Sequence, residues 1–170
     1  MGRLNEAVAI AEKGSQINAN DEYIFATLGE LYTQEKRYSE AINAYRQAVG
    51  IRDNYPEALY NLGYLYNLTS QYDEAIEVLE KAVRYLPSYA EAYNNLGVAY
   101  WNKGRTDDAL QAYKTAIKFR PDYPDALGNL GVVYKAKGQL EQAEEMFLKV
   151  IRLSPNDLVV RKELEELRRK

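Results

Sequence analysis

With 170 residues, 46% of them hydrophobic, the chain is long enough to bury a core, and its net charge of −3 comes without a basic patch, which argues against a nucleic-acid partner. It has no cysteine and no histidine, which removes thiol nucleophiles, disulfides, Cys/His metal sites and imidazole acid–base chemistry. No apolar run approaches the ~18 residues of a membrane span, and the apolar stretch at 7–11, bracketed by Glu6 and Glu12, is too short for a signal peptide, so a soluble, cytoplasmic protein is expected.

The sequence repeats itself. TLGELY at 27, NLGYLY at 61, NLGVAY at 95 and NLGVVY at 129 recur every 34 residues without a slip. Three residues after Gly29, Gly63, Gly97 and Gly131 stand Tyr32, Tyr66, Tyr100 and Tyr134, and nine residues beyond each Tyr comes Ala41, Ala75, Ala109 or Ala143. Such self-similarity predicts an array of one supersecondary unit.

In chain order, residues 1–21 begin partway through a unit, because GRLNEA from Gly2 lines up with GRTDDA from Gly104; only the second helix of an incomplete repeat is expected there. The first full unit, 22–55, has Thr27 before its Leu–Gly pair, Lys36 where later units have a turn glycine, and Asp53 where they have Pro. In the second unit, 56–89, Leu59, Leu62, Gly63 and Tyr66 fall at i, i+3, i+4 and i+7 and predict one helix; Ala75, Leu79, Ala82 and Val83 predict another after Ser70. The third and fourth units, 90–123 and 124–157, turn at NKGR and AKGQ, with Gly104 and Gly138 where a helix end favours a left-handed residue. Lys36 and Ser70 at that place predict less tightly specified turns in the first two units. Pro87, Pro121 and Pro155 stop the second helices. Residues 158–170 keep an apolar stripe of Val160, Leu164 and Leu167 but put Arg161, Glu165 and Arg168 at core registers, which predicts a solvating cap helix.

A glycine inside a helix costs about 1 kcal/mol relative to alanine, so its recurrence requires a gain. Small residues between two antiparallel helices let the backbones approach, and large residues then pack around the crossing. Burying one large side chain is worth ~1.5–3 kcal/mol, more than the propensity cost. The repeated glycine therefore reports packing and not catalysis.

The pattern Leu–Gly–x–x–Tyr, then Ala, an aromatic or Leu, Ala and Pro in a 34-residue unit resembles the tetratricopeptide repeat (TPR) family. The third unit matches it most fully, through Tyr93, Leu96, Gly97, Tyr100, Ala109, Tyr113, Ala116 and Pro121. The resemblance implies an all-α, right-handed α-solenoid (a superhelix) of antiparallel helix hairpins. It would hold four full repeats with a flanking helix at each end, in one solenoid domain over 1–170. The family implies a non-catalytic scaffold or adaptor that binds an extended peptide in a concave groove lined by the first helices.

Subtracting the residues that packing explains leaves candidates for that groove. Tyr23, Tyr60 and Tyr64 lie on the other face of the first helices, joined by Trp101, the only tryptophan; amphipathic aromatics of this kind serve as binding anchors. Asn61, Asn95 and Asn129 precede the Leu–Gly pairs and would array carboxamides able to pair with a peptide backbone. They resemble the asparagine ladder of the repeat domain in O-linked N-acetylglucosamine transferase, a ladder that Thr27 breaks in the first unit. Glu57, Glu91 and Asp125 form an acidic row near the starts of three first helices, with Glu30 nearby and Lys135 at the far end. The row suits a partially basic peptide, or simply complements the helix dipole. Asn67, Asn94, Val98 and Asn102 complete the candidate surface.

Three alternatives are weighed against this. A clamp for a C-terminal Glu–Glu–Val–Asp carboxylate needs Lys, Asn and Arg at set positions, which hold Ala26, Glu30, Asn61, Glu91 and Asn95 instead, so that partner class is rejected. Catalysis lacks a nucleophile, a phosphate loop or a metal spacing, and the pairs Asp107–Asp108 and Glu144–Glu145 point apart on their helices; no catalytic residue, metal or cofactor is expected. Self-assembly through the terminal helices is the rival binding mode, since a half unit cannot bury its apolar face alone. A start in mid-unit is also compatible with a fragment of a larger protein.

Overall fold

The computed structural model describes residues 2–169, and among them it contains ten α-helices and no strand. The chain divides into two compact units, Met1–Pro87 and Ser88–Lys170. The first holds α1 (Gly2–Ile17), α2 (Glu22–Gln34), α3 (Tyr38–Ile51), α4 (Pro56–Leu68) and α5 (Tyr72–Tyr85). The second holds α6 (Ala90–Asn102), α7 (Thr106–Phe119), α8 (Pro124–Ala136), α9 (Leu140–Leu153) and α10 (Leu158–Arg168). Helices pair as hairpins, α2 with α3 and α4 with α5 in the first unit, α6 with α7 and α8 with α9 in the second.

Helix starts follow from local chemistry. Asp21 caps α2, its carboxylate accepting from the Tyr23 and Ile24 amides at 3.0 and 3.2 Å, and Asp157 caps α10 by accepting from Val160 at 2.9 Å. Pro56 and Pro124 open α4 and α8, where the missing N–H is no loss.

The four turns inside the hairpins are the same Schellman motif. In the first, the Lys36 amide donates to Thr33 O at 3.0 Å and the Arg37 amide to Tyr32 O at 2.9 Å. Ser70 with Gln71, Gly104 with Arg105, and Gly138 with Gln139 repeat the pair. Lys36 and Ser70 adopt φ of 60°, close to the 73° and 74° of Gly104 and Gly138. The first two turns are therefore as sharply defined as the others, contrary to the expectation from their side chains. The closing hydrogen bonds hold non-glycine residues in the left-handed region. Arginine following the turn folds back over the repeated tyrosine, Arg37 over Tyr32 at 4.4 Å and Arg105 over Tyr100 at 4.3 Å.

Within each hairpin the repeated glycine meets one large residue of the second helix. A Cβ on Gly29 would stand 2.6 Å from the Tyr45 ring, on Gly97 2.6 Å from the Tyr113 ring, and on Gly131 2.5 Å from the Phe147 ring; Gly63 meets Leu79 in the same way. Tyr45, Leu79, Tyr113 and Phe147 are all buried. The glycine thus provides the seat for this side chain, which is more specific than general closeness of two backbones. Ala41, Ala48, Ala75, Ala82, Ala109, Ala116 and Ala143 beside it are wholly inaccessible. At the ends, α1 packs on α2 and the Tyr32 hydroxyl donates to Glu12 at 2.7 Å, while α10 buries Val160, Leu164 and Leu167 against its unit.

Gly97→Ala should destabilise the protein by about 1–3 kcal/mol, since the buried Tyr113 ring has nowhere to move, whereas Gly50→Ala, with nothing within 4 Å of the new methyl, should stabilise by up to about 1 kcal/mol. Lys36→Gly and Ser70→Gly should each add about 0.5–1 kcal/mol by relieving a left-handed L-residue. Urea midpoints at constant slope check both pairs.

Candidate functional site

The first unit contains a cleft of about 400 Å³ between its first helices. Glu30, Thr33 and Gln34 of α2 form one wall and Tyr60, Asn61, Tyr64 and Leu65 of α4 the other, with Tyr45 of α3 at the floor. The placement follows from the helical period: Leu59, Leu62, Gly63 and Tyr66 turn into the hairpin and are buried, which leaves Tyr60, Asn61 and Tyr64 on the opposite side. Tyr64 is 42% exposed. Tyr60 and Asn61 are half-buried.

The floor is polar. Tyr45 gives its ring to the hairpin, while the Asn61 amide acts on its hydroxyl end and lowers the phenol's pKa against the larger effect of burial. Burial first, and then the negative charge of Glu30, push the Tyr45 phenol well above its usual range. Thr33 donates its hydroxyl proton to Gly29 O at 2.7 Å, which leaves its oxygen lone pairs on the cleft side. Glu30 is exposed, has no ion pair among the described residues, and faces only the Gln34 amide at 3.5 Å.

Other first-unit candidates lie outside this cleft. Tyr23 is 57% exposed at the start of α2, edge-on to Tyr55 at 5.8 Å, and its hydroxyl accepts from Arg52 at 3.0 Å. Glu57 is exposed in the first turn of α4, and Asn67 is half-buried in its last.

In the second unit the candidate residues are tied into the fold. The Asn129 amide donates to Asn94 Oδ1 at 3.0 Å, joining α8 to α6, and Asn94 is only 7% exposed. Asn95 donates back to Glu91 O at 3.1 Å, and Asn102 to Val98 O at 2.9 Å. Glu91 forms an ion pair with Arg120, whose guanidinium lies over the Tyr123 ring at 4.0 Å. Lys135 reaches Glu163 at 2.8 Å and Glu166 at 3.1 Å on α10, and these bonds raise its pKa. Val98 and Trp101 are half-buried and Asp125 is exposed. The asparagines at equivalent positions therefore have three different partners: a tyrosine hydroxyl, a main-chain carbonyl and a second asparagine.

Sequence reasoning passes over several of these groups. Thr33, Gln34 and Leu65 line the cleft, and Arg120, Glu163 and Glu166 neutralise charges that the sequence leaves open. For Thr33 and Gln34 the signal is their register three and four residues after Glu30 on the same helix; Arg120, Glu163 and Glu166 meet their partners only through the fold. Among the described residues, no group of three or more carboxylates is placed to hold a metal ion.

Comparison with known proteins places this geometry. Two family models described as tetratricopeptide repeat match residues 69–124 and 102–162, and a third, described as TPR repeat, matches 29–69. The chain belongs to the tetratricopeptide repeat family. Its TPR hairpins build a protein-interaction scaffold, and proteins of this family are in general non-catalytic. A crystal structure of MamA superposes with a TM-score of 0.85 at 27% identity over 91% of this chain and 90% of that one. MamA from Desulfovibrio magneticus RS-1 gives 0.84 at 25% identity, over 92% and 89%. YrrB, described as a TPR protein with an unusual peptide-binding site, gives 0.84 at 25% identity, covering 96% of this TPR chain and 84% of its own. No curated protein sequence matches the chain.

Proposed function

We propose that the first-helix face of this TPR protein holds an extended segment of a partner protein, with Tyr60 and Tyr64 as aromatic anchors and the Asn61 carbonyl as an acceptor for the segment's backbone. The observation that carries this reading is the cleft of about 400 Å³ beside the exposed Tyr64, a volume within the ~300–1,000 Å³ of ligand-binding sites. It sits on the side of the hairpins that the glycine packing leaves free. In the second unit, taken by itself, the candidates on the first helices are Trp101, Asn95, Asn102 and Asp125. There the amides of Asn95 and Asn102 donate to carbonyls of their own helix. The likeness to YrrB, described as having an unusual peptide-binding site, supports a peptide as the kind of ligand.

A second reading rests on α1. Ile10 is 65% exposed and Ile17 87%, whereas the residues one or more repeats on from Ile10, Ala44, Val78, Ala112 and Met146, are all buried. An apolar side chain at the Ile10 register is covered in the later hairpins, while Ile17 shares the exposure of Ile51, Tyr85, Phe119 and Leu153, so it is Ile10 that a second copy of the chain would cover here.

On an array of overlapping peptides, Tyr64→Ala should weaken every bound peptide by about tenfold or more while leaving the melting temperature within about 2 °C, because the side chain is outside the core. Unchanged affinity would remove the groove assignment. Solution scattering over a concentration series tests the second reading, for which the wild type should associate and Ile10→Asp remain monomeric.

A further inference from the structure

Glu30 has no structural task. It lies in the later part of α2 (Glu22–Gln34), two turns beyond the helix start, so its charge is not a helix-end complement as that of Glu57 is in the first turn of α4. Its neighbour at the end of α2, Glu35, is held by Arg37 at 2.9 Å. In the second unit Glu91 has Arg120, and Glu163 and Glu166 have Lys135. Glu30 has only the Gln34 amide at 3.5 Å. It is also the one formally charged residue lining the first-unit cleft.

We infer that this cleft is a subsite for one basic side chain of the bound segment, a lysine or arginine whose head pairs with Glu30 and whose methylene stem lies along Tyr60 and Tyr64. The inference rests on the groove assignment above and gives it a chemistry. Three features of the lining select a cation. The Glu30 carboxylate and the Thr33 oxygen are acceptors, which suits an ammonium or guanidinium that can only donate. The Tyr60 and Tyr64 rings supply faces on which a cation is attracted, as the chain already does internally where Arg37 covers Tyr32 at 4.4 Å and Arg120 covers Tyr123 at 4.0 Å. Glu30 also makes the alternatives unfavourable. An acidic side chain would meet like charge, and an apolar one would take the carboxylate out of water with nothing in return. The Glu30 charge already acts on the floor of the cleft, since it contributes to the raised pKa of Tyr45.

The test uses the full chain and four fluorescein-labelled peptide libraries that are identical except at one central position, set to Arg, Lys, norleucine or Glu, with binding followed by anisotropy. The Arg and Lys libraries should bind at least about tenfold more tightly than the other two. Glu30→Gln should bring them down to the norleucine level without moving the melting temperature, and Glu57→Gln, the same charge change outside the cleft, should leave the preference in place. If all four libraries bind alike, if Glu30→Gln keeps the preference, or if Glu57→Gln abolishes it equally, the basic subsite is overturned while the groove assignment stands. If no library binds and Tyr64→Ala changes nothing on the peptide array, both fall together.

Discussion

The structure depends on a contact one carbon atom deep. In every hairpin a glycine of the first helix leaves room for the ring or branched side chain that the second helix presses against it, and a Cβ at that place would overlap Tyr45, Leu79, Tyr113 or Phe147. Because interiors are packed to crystal density, there is no slack with which to absorb a methyl group. The inaccessible alanines on the second helix then follow, since they flank a contact already as close as it can be. So does the placement of Tyr60, Asn61 and Tyr64 of α4, which stand opposite the buried Leu59, Leu62, Gly63 and Tyr66 because the hairpin side is full. The candidate site is in this sense a by-product of packing.

How much of this could be seen in the sequence depended on whether the cause was local. The period, the glycine, the turn position and the helix stops are each set by a few residues on the same stretch of chain, and they could be read directly. The turns at Lys36 and Ser70 mark the boundary of that approach: their side chains argue for looser geometry, yet two closing hydrogen bonds impose the same left-handed conformation that Gly104 and Gly138 adopt freely. The asparagines lie beyond it. Asn61, Asn95 and Asn129 are one letter at one register, but their partners are set by whatever the neighbouring helices offer. Asn61 finds the Tyr45 hydroxyl, Asn129 finds Asn94, and Asn95 turns to its own helix. A single-letter pattern holds no information about those neighbours.

Charge shows the same division. The acidic row is plain in the sequence, but which acids are neutralised is decided by residues about 30 positions away, as with Glu91 and Arg120 or Lys135 and Glu163. Family membership likewise fixes the hairpin and its use as a scaffold while leaving the bound chemistry to the residues between the packing positions.

The unequal wiring of the asparagines bears on how a bound strand would be aligned. Identical rungs would let a strand slip from one repeat to the next at no cost, giving several degenerate placements. In the second unit the Asn95 amide donates to its own helix and the Asn129 amide to Asn94, so these two rungs are not identical. A repeated scaffold can in this way read a non-repeated message, because the breakdown of its symmetry lies in the hydrogen bonds and not in the fold.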